Sequence, residues 1–195
     1  MSTQAGGPHV ATRMGHDGLA LERRVAGPLE RVWAHLVDPT LRATWLAGGA
    51  LEPGEGGRVT LAFRHADLTG PDDPPPDAFR DMHERGHVAH GVVTAWQPPV
   101  LLAHTWVDGD EASEVAFELQ DAGDAVRLAV THVGLDTQAA VVGVAAGWDA
   151  HLALLAAVLT GTPKPPYWRT YRGSEARHAV AFADWDRAAV EAEGS

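Results

Sequence analysis

Eleven histidines, no cysteine and a single lysine limit the chemistry this chain of 195 residues can attempt. Without a thiol there is no disulfide, no thiolate nucleophile and no cysteine-ligated zinc or iron–sulfur cluster. Lys164 sits in Thr162-Pro163-Lys164-Pro165-Pro166, which reads as exposed and extended, the wrong setting for a desolvated Schiff-base lysine. The four serines, Ser2, Ser113, Ser174 and Ser195, lie outside any G-x-S-x-G elbow, and no nucleophile–base pair is visible. Glu114 and Glu118 share a strand face opposite Val115, Phe117 and Leu119, which reads as a solvated face. A working carboxylate pair would need enclosure. No catalytic residue is assigned on this evidence.

The histidines divide by position. His83, His87 and His90 are separated by three and two residues, and on a strand His87 and His90 point to opposite sides, so no compact ligand set follows and no metal is expected. His132 shares parity with Val126, Leu128 and Val130 and so faces the apolar side of its strand. His104 shares parity with Leu102 and Trp106, although Leu101, Ala103, Thr105 and Val107 form an equally plausible inner face. An inward histidine can orient a polar head group or act as a general base. It can equally be a core residue satisfied by a carbonyl or water.

The elements that would position these groups follow from periodicity. Leu19 to Val25 reads as a strand, broken by Gly27-Pro28, after which Leu29, Val32, Trp33, Leu36 and Val37 recur at helical spacing. Asp38-Pro39 ends that helix, and Thr40 is placed to cap a short second one carrying Leu41, Trp45 and Leu46. Gly54-Glu55-Gly56-Gly57 reads as a turn, because a strand and no helix follows it. Arg58 to His65, Gly86 to Gln97, Leu101 to Val107, Ser113 to Asp121 and Ala125 to Val133 alternate as strands, four of them joined by short turns that imply antiparallel neighbours. Ala66 to Arg85, with four prolines and five aspartates, is a solvated loop with a short helical turn near Ala78 to His83.

A long helix then runs from about Thr137 to Thr160 and ends at Gly161. Its stripe of Val141, Val144, Trp148, Leu152, Leu155 and Leu159 would contribute roughly 9–18 kcal/mol gross on burial. Residues 1–17 read as a flexible leader, 18–161 as the ligand-binding domain and 162–195 as a C-terminal extension. In that extension Tyr167, Trp168 and Tyr171 lie in an extended stretch, and Ser174 caps a helix. That helix must bury its apolar residues against the domain or against a second subunit, so a homodimer through the extension stays open.

Net charge of −11 argues against nucleic acid and anionic membrane as partners. Arg23 and Arg24 would point to opposite faces of their strand. No uninterrupted apolar run of membrane-spanning character stands out, so no membrane insertion is expected. The start lacks an apolar signal region, which places the protein in the cytoplasm.

This order of strand, two helices, strands and long helix resembles the helix-grip fold of the START-related SRPBCC superfamily. Within it, the chain is similar to the bacterial branch named after the activator of the ninety-kilodalton heat-shock ATPase. The resemblance rests on Arg24 to Trp33, Leu41 to Leu46, Pro98-Pro99-Val100-Leu101-Leu102 with Thr105-Trp106, and Thr131-His132-Val133-Gly134 followed by Gly147-Trp148 and Leu152 to Leu155. It covers about Leu19 to Gly161 and departs at the acidic loop and the tail. It implies an α+β fold in which a curved antiparallel sheet wraps the long helix and leaves a cavity for a small hydrophobic or aromatic molecule. The expected ligand contacts are Trp45, Phe63, Trp106, Phe117, Trp148 and Leu152, with His132 or His104 at a polar group, and no cofactor. Trp33 and Trp148 are expected to be mainly structural. Two alternatives remain: a cyclase- or aromatase-like enzyme using a pocket histidine, and a chaperone-associated or self-associating protein.

Overall fold

Alternation of buried and exposed side chains organises a curved antiparallel sheet, seen here in a computed structural model that describes residues 10–109 and 111–185. Its strands are β1 (Thr12–Met14), β2 (Gly18–Ala26), β3 (Arg58–Phe63), β4 (His87–Gln97), β5 (Leu101–Asp108), β6 (Glu111–Asp121) and β7 (Ala125–Val133). They lie in the order β1-β2-β7-β6-β5-β4-β3. On β6, Val115, Phe117 and Leu119 are buried while Glu114 and Glu118 are not. On β7, Val126, Leu128, Val130 and His132 are buried. Register pairs His132 with Val115 on one side and Leu19 on the other, so the histidine lies in the middle of the sheet on its inner face. Arg23 and Arg24 do point to opposite faces, one to Asp149 and the other to Asp124.

Between β2 and β3 come α1 (Leu29–Val37) and α2 (Pro39–Arg42). Asp38, not Thr40, caps α2: its carboxylate accepts from the Thr40 and Leu41 amides at 2.8 and 2.9 Å. Arg42 is buried without a carboxylate partner. Its guanidinium donates to the carbonyls of Leu36, Ala47 and Gly49, and burial pulls its pKa down to about 10. The acidic loop folds into α3 (His65–Leu68), a 3₁₀ turn (Asp77–Phe79) and α4 (Arg80–Arg85).

The long helix α5 (Gln138–Thr160) starts and stops where the sequence places it. Thr137 accepts from the Ala140 amide at 3.1 Å, and Gly161 closes the helix at φ 67°. Its burial is not a single stripe. Ala145, Ala146, Ala150, His151 and Leu154 are buried together with Trp148 and Leu152. By length and composition α5 could cross a membrane, since an eighteen-residue window has a mean hydropathy of 1.7. Yet 67% of that window is buried inside the protein, which makes this the core helix.

The reason is α6 (Tyr167–Ala181), which covers the side of α5 turned away from the sheet. Tyr167, Trp168 and Tyr171 are helical rather than extended, and Ser174 sits inside the helix instead of capping it. Two aspartates fasten α6. Asp73, from the acidic loop, accepts from the Trp168 and Arg169 amides at 2.7 and 2.9 Å and so caps a helix that has no side-chain cap of its own. Asp149 of α5 takes hydrogen bonds from Ser174 and from His178 Nε2 and an ion pair from Arg23. Burial would raise the pKa of Asp149, but these donors and the Arg23 charge hold it below the ordinary carboxylate value.

Part of the expected leader is also structured. Thr12–Met14 pairs with β2, and the Arg13 guanidinium lies 4.2 Å over the Trp185 ring. The remaining leader and tail residues, 1–9 and 186–195, lie outside the described residues.

Candidate functional site

A cavity of about 710 Å³ opens between the inner face of the sheet, the first half of α5, the acidic loop and α6. On α5 its wall contains Gly143 and Gly147, one turn apart. A Cβ built on Gly147 would meet nothing within 4 Å, and one on Gly143 would meet only the Tyr171 hydroxyl at 3.7 Å. The helix therefore carries no side chain where one would fill the hollow.

Aromatic rings form most of the remaining wall. Trp106 of β5 sits 5.4 Å from Phe63 and 6.0 Å from Trp148, the latter nearly perpendicular at 85°. From the tail, Trp168 stacks on Phe79 of the acidic loop at 5.4 Å and meets Tyr167 edge-on at 4.8 Å. Such edge-to-face and offset contacts hold the rings in fixed orientations.

The polar groups in the wall are wired to one another. Trp148 Nε1–H donates to His132 Nδ1 at 3.1 Å, which fixes the proton of a neutral His132 on Nε2. That Nε2–H reaches Ser113 Oγ at 2.8 Å, and Ser113 donates to the Trp106 carbonyl at 3.3 Å. His151 repeats the arrangement. Its Nδ1–H donates to the Trp45 carbonyl at 2.8 Å, and its Nε2 accepts from the Tyr167 hydroxyl at 3.2 Å. Burial lowers both histidines to a pKa of about 4 and drives the Tyr167 hydroxyl upward. His65 packs among Phe63, Tyr167 and Trp168 with its Nδ1 unpaired. Burial, helped by the neighbouring histidines, takes it to about 3. All three rings are neutral near pH 7. Both nitrogens of His132 and of His151 are engaged, so neither offers a free lone pair to abstract a proton.

Of the residues expected to contact a ligand, Phe63, Trp106, His132 and Trp148 converge on the cavity. Four do not. Trp45 is fully buried behind it, with its indole N–H donating to the His35 carbonyl at 2.9 Å. His104 does lie on the inner face, but it is buried between Trp106 and Phe117 and held at Nδ1 by the Thr105 carbonyl. Burial lowers its pKa to about 4. Phe117 packs edge-on against Trp148 at 5.4 Å, one layer below the wall. Leu152 lies a turn beyond Trp148, where α5 has closed onto the sheet and core. The shared cause is depth: strand parity for His104 and Phe117, and the family resemblance for Trp45 and Leu152, indicate the inner side but not which inward residues reach an open space.

His65, Phe79, His151, Tyr167, Trp168 and Tyr171 also line the cavity, beyond the residues expected from the sequence. The signal for the tail was the density of large rings in Tyr167-Trp168-Arg169-Thr170-Tyr171, too apolar for a free extension. The histidines considered as metal ligands are dispersed. His83 accepts from the Trp168 indole at 3.1 Å, His87 faces Asp108 at 2.9 Å, and His90 is exposed.

The Activator of Hsp90 ATPase homolog 1-like protein family model matches residues 26–160, and the chain belongs to that family. Among solved structures, a protein from Bordetella parapertussis determined by solution NMR is 40% identical, with a TM-score of 0.72. The match covers 91% of this chain and 94% of that one. CalU16 from Micromonospora echinospora, in its crystal structure, is 22% identical with a TM-score of 0.64, covering 89% and 94% of the two chains. A conserved protein of unknown function from Enterococcus faecalis is 14% identical with a TM-score of 0.65, covering 91% of each. The last two show a shared fold only. No curated protein matches the chain.

Proposed function

We propose that this family member binds one small hydrophobic or aromatic molecule in the cavity between sheet and α5, and that its role is binding rather than catalysis. The observation that carries the reading is the retained hollow of about 710 Å³. Its volume falls within the roughly 300–1,000 Å³ typical of ligand pockets. Two mid-helix glycines preserve it, each destabilising α5 by about 1 kcal/mol relative to alanine. Rings from sheet, helix, loop and tail supply stacking surfaces for a flat apolar molecule. Binding is favoured over catalysis because His132 and His151 are hydrogen-bonded at both ring nitrogens, and His65, whose Nδ1 is unpaired, is made a weak base by burial. A cytoplasmic location stays part of this proposal; among the described residues the one helix long and apolar enough to cross a membrane serves as the core of the fold. A homodimer through the C-terminal extension stays a second proposal: Tyr167, Trp168, Tyr171, Phe182 and Trp185 are buried within the chain, whereas Val180 of α6 is exposed.

Native mass spectrometry of the freshly purified protein, followed by calorimetric titration with a panel of aromatic and lipid molecules, tests this. Saturable one-to-one binding of an aromatic member is expected. A panel in which nothing saturates would refute the reading.

A further inference from the structure

Charge, rather than shape alone, distinguishes the ligands this cavity can admit. No lysine or arginine is among the described residues that line it, whereas two carboxylates, Asp108 and Asp136, lie at its edge. Four histidines could in principle supply positive charge: His65, His87, His132 and His151. Burial keeps His65, His132 and His151 neutral at pH 7, with pKa values of about 3, 4 and 4. His87 faces Asp108 at 2.9 Å, so a carboxylate already lies against that ring. The whole chain carries −11. A carboxylate entering this space would leave water without meeting a cation. An ammonium would enter a wall that contains the rings of Trp106 and Trp148 and would meet the field of the edge carboxylates, Asp136 and the His87-facing Asp108.

We infer that the cavity selects planar aromatic molecules that carry an amine and rejects their carboxylate counterparts. This rests on the binding role proposed above and adds the chemical class of the ligand.

Three probes with one ring system separate the possibilities: 2-naphthylmethylamine, 2-naphthylmethanol and 2-naphthoate, titrated calorimetrically at pH 7.5 and low salt. The alcohol reports the cavity alone. The amine is expected to bind about threefold more tightly than the alcohol, the scale of partly screened charges. The naphthoate is expected to bind at least about tenfold more weakly than the amine, because its charge is desolvated unpaired. Replacing both edge carboxylates (Asp108→Asn with Asp136→Asn) should close the gap between amine and alcohol while leaving the alcohol unchanged. High salt on the unmodified protein should narrow the same gap without any substitution. If the alcohol binds and the naphthoate equals or exceeds the amine, charge selection is overturned and the cavity reading survives. If none of the three saturates, both fail. If the gap persists in the double variant and in high salt, the two carboxylates are not its source and the inference falls.

Discussion

Gly147 offers the sharpest separation between a fold that happens to contain a hollow and a fold that uses it. The residue lies in the middle of α5, on the cavity wall, and an added Cβ would meet nothing within 4 Å. In a helix interior glycine is about 0.8–1.0 kcal/mol less favourable than alanine. Gly147→Ala should therefore stabilise the protein by about 0.5–1 kcal/mol, a rise in Tm of about 1–4 °C for a chain of this length. Its single methyl leaves ample room in 710 Å³, so ligand affinity should hardly change. Gly147→Trp directs an indole, with roughly 150–250 Å² of surface to bury, into the same space. That variant should melt at or above the wild-type temperature yet lose binding of 2-naphthylmethanol by at least about tenfold, or 1.4 kcal/mol. Differential scanning calorimetry and isothermal titration read the two effects separately. A drop in Tm for the alanine variant would mean that the wall is not open at Gly147. A folded tryptophan variant that keeps its affinity would mean that the ligand sits elsewhere.

Acid should unfold this protein before its carboxylates titrate. Four histidines, His65, His104, His132 and His151, have folded pKa values of about 3 to 4 because they are buried. Below about 6.5 the unfolded chain takes up protons that the folded one refuses, so stability falls as pH falls. By pH 5.5 each histidine has removed about 1.4 kcal/mol, and the four together roughly 5–6 kcal/mol, comparable with the whole stability of a small domain. A Tm that stays flat from pH 7.5 to 5.5 would contradict the burial of these rings as neutral species. At the start of α6, Asp73→Ala removes the acceptor of the Trp168 and Arg169 amides. It should cost about 1–2 kcal/mol and raise amide exchange in the first turn of α6. Exchange there matching wild type would show that Asp73 does not hold the tail.

How much of this was legible in the sequence depended on how local the signal was. Strand alternation placed β2 to β7 within a residue or two, because side-chain direction is fixed by neighbouring residues. The ends of α5 were legible for the same reason, with Thr137 and Gly161 acting within four residues of the helix they bound. Inward direction and the family resemblance point Trp45, His104, Phe117 and Leu152 toward the cavity, and the structure packs them behind its wall or beyond its reach. An inward side chain can end in a packed layer or at an open face, and the difference is made by residues from other elements, here Gly143 and Gly147. Gly143 and Gly147 fall between the residues of the apolar stripe of α5, and the hollow opens where they lie.

The loop and the tail were unreadable separately because each is the missing half of the other. An N-terminal helix cap normally comes from the residue next to the helix, and Pro166 in that position gives α6 none. The carboxylate that does the work is Asp73, 95 residues from Trp168, in a segment whose prolines and aspartates suggest only a solvated loop. Conversely, Phe79 of that loop finds its ring partners in the tail, Trp168 and Tyr171. The acidic loop and the tail, the latter beyond the family match at residues 26–160, thus become one ordered wall of the cavity when brought together. The consequence is physical: the sheet and α5 set the depth of the hollow, whereas its outer wall stands only while a cross-chain cap holds. Whatever distinguishes the ligand of this chain from that of a shorter relative should be sought in the rings Phe79, Tyr167, Trp168 and Tyr171.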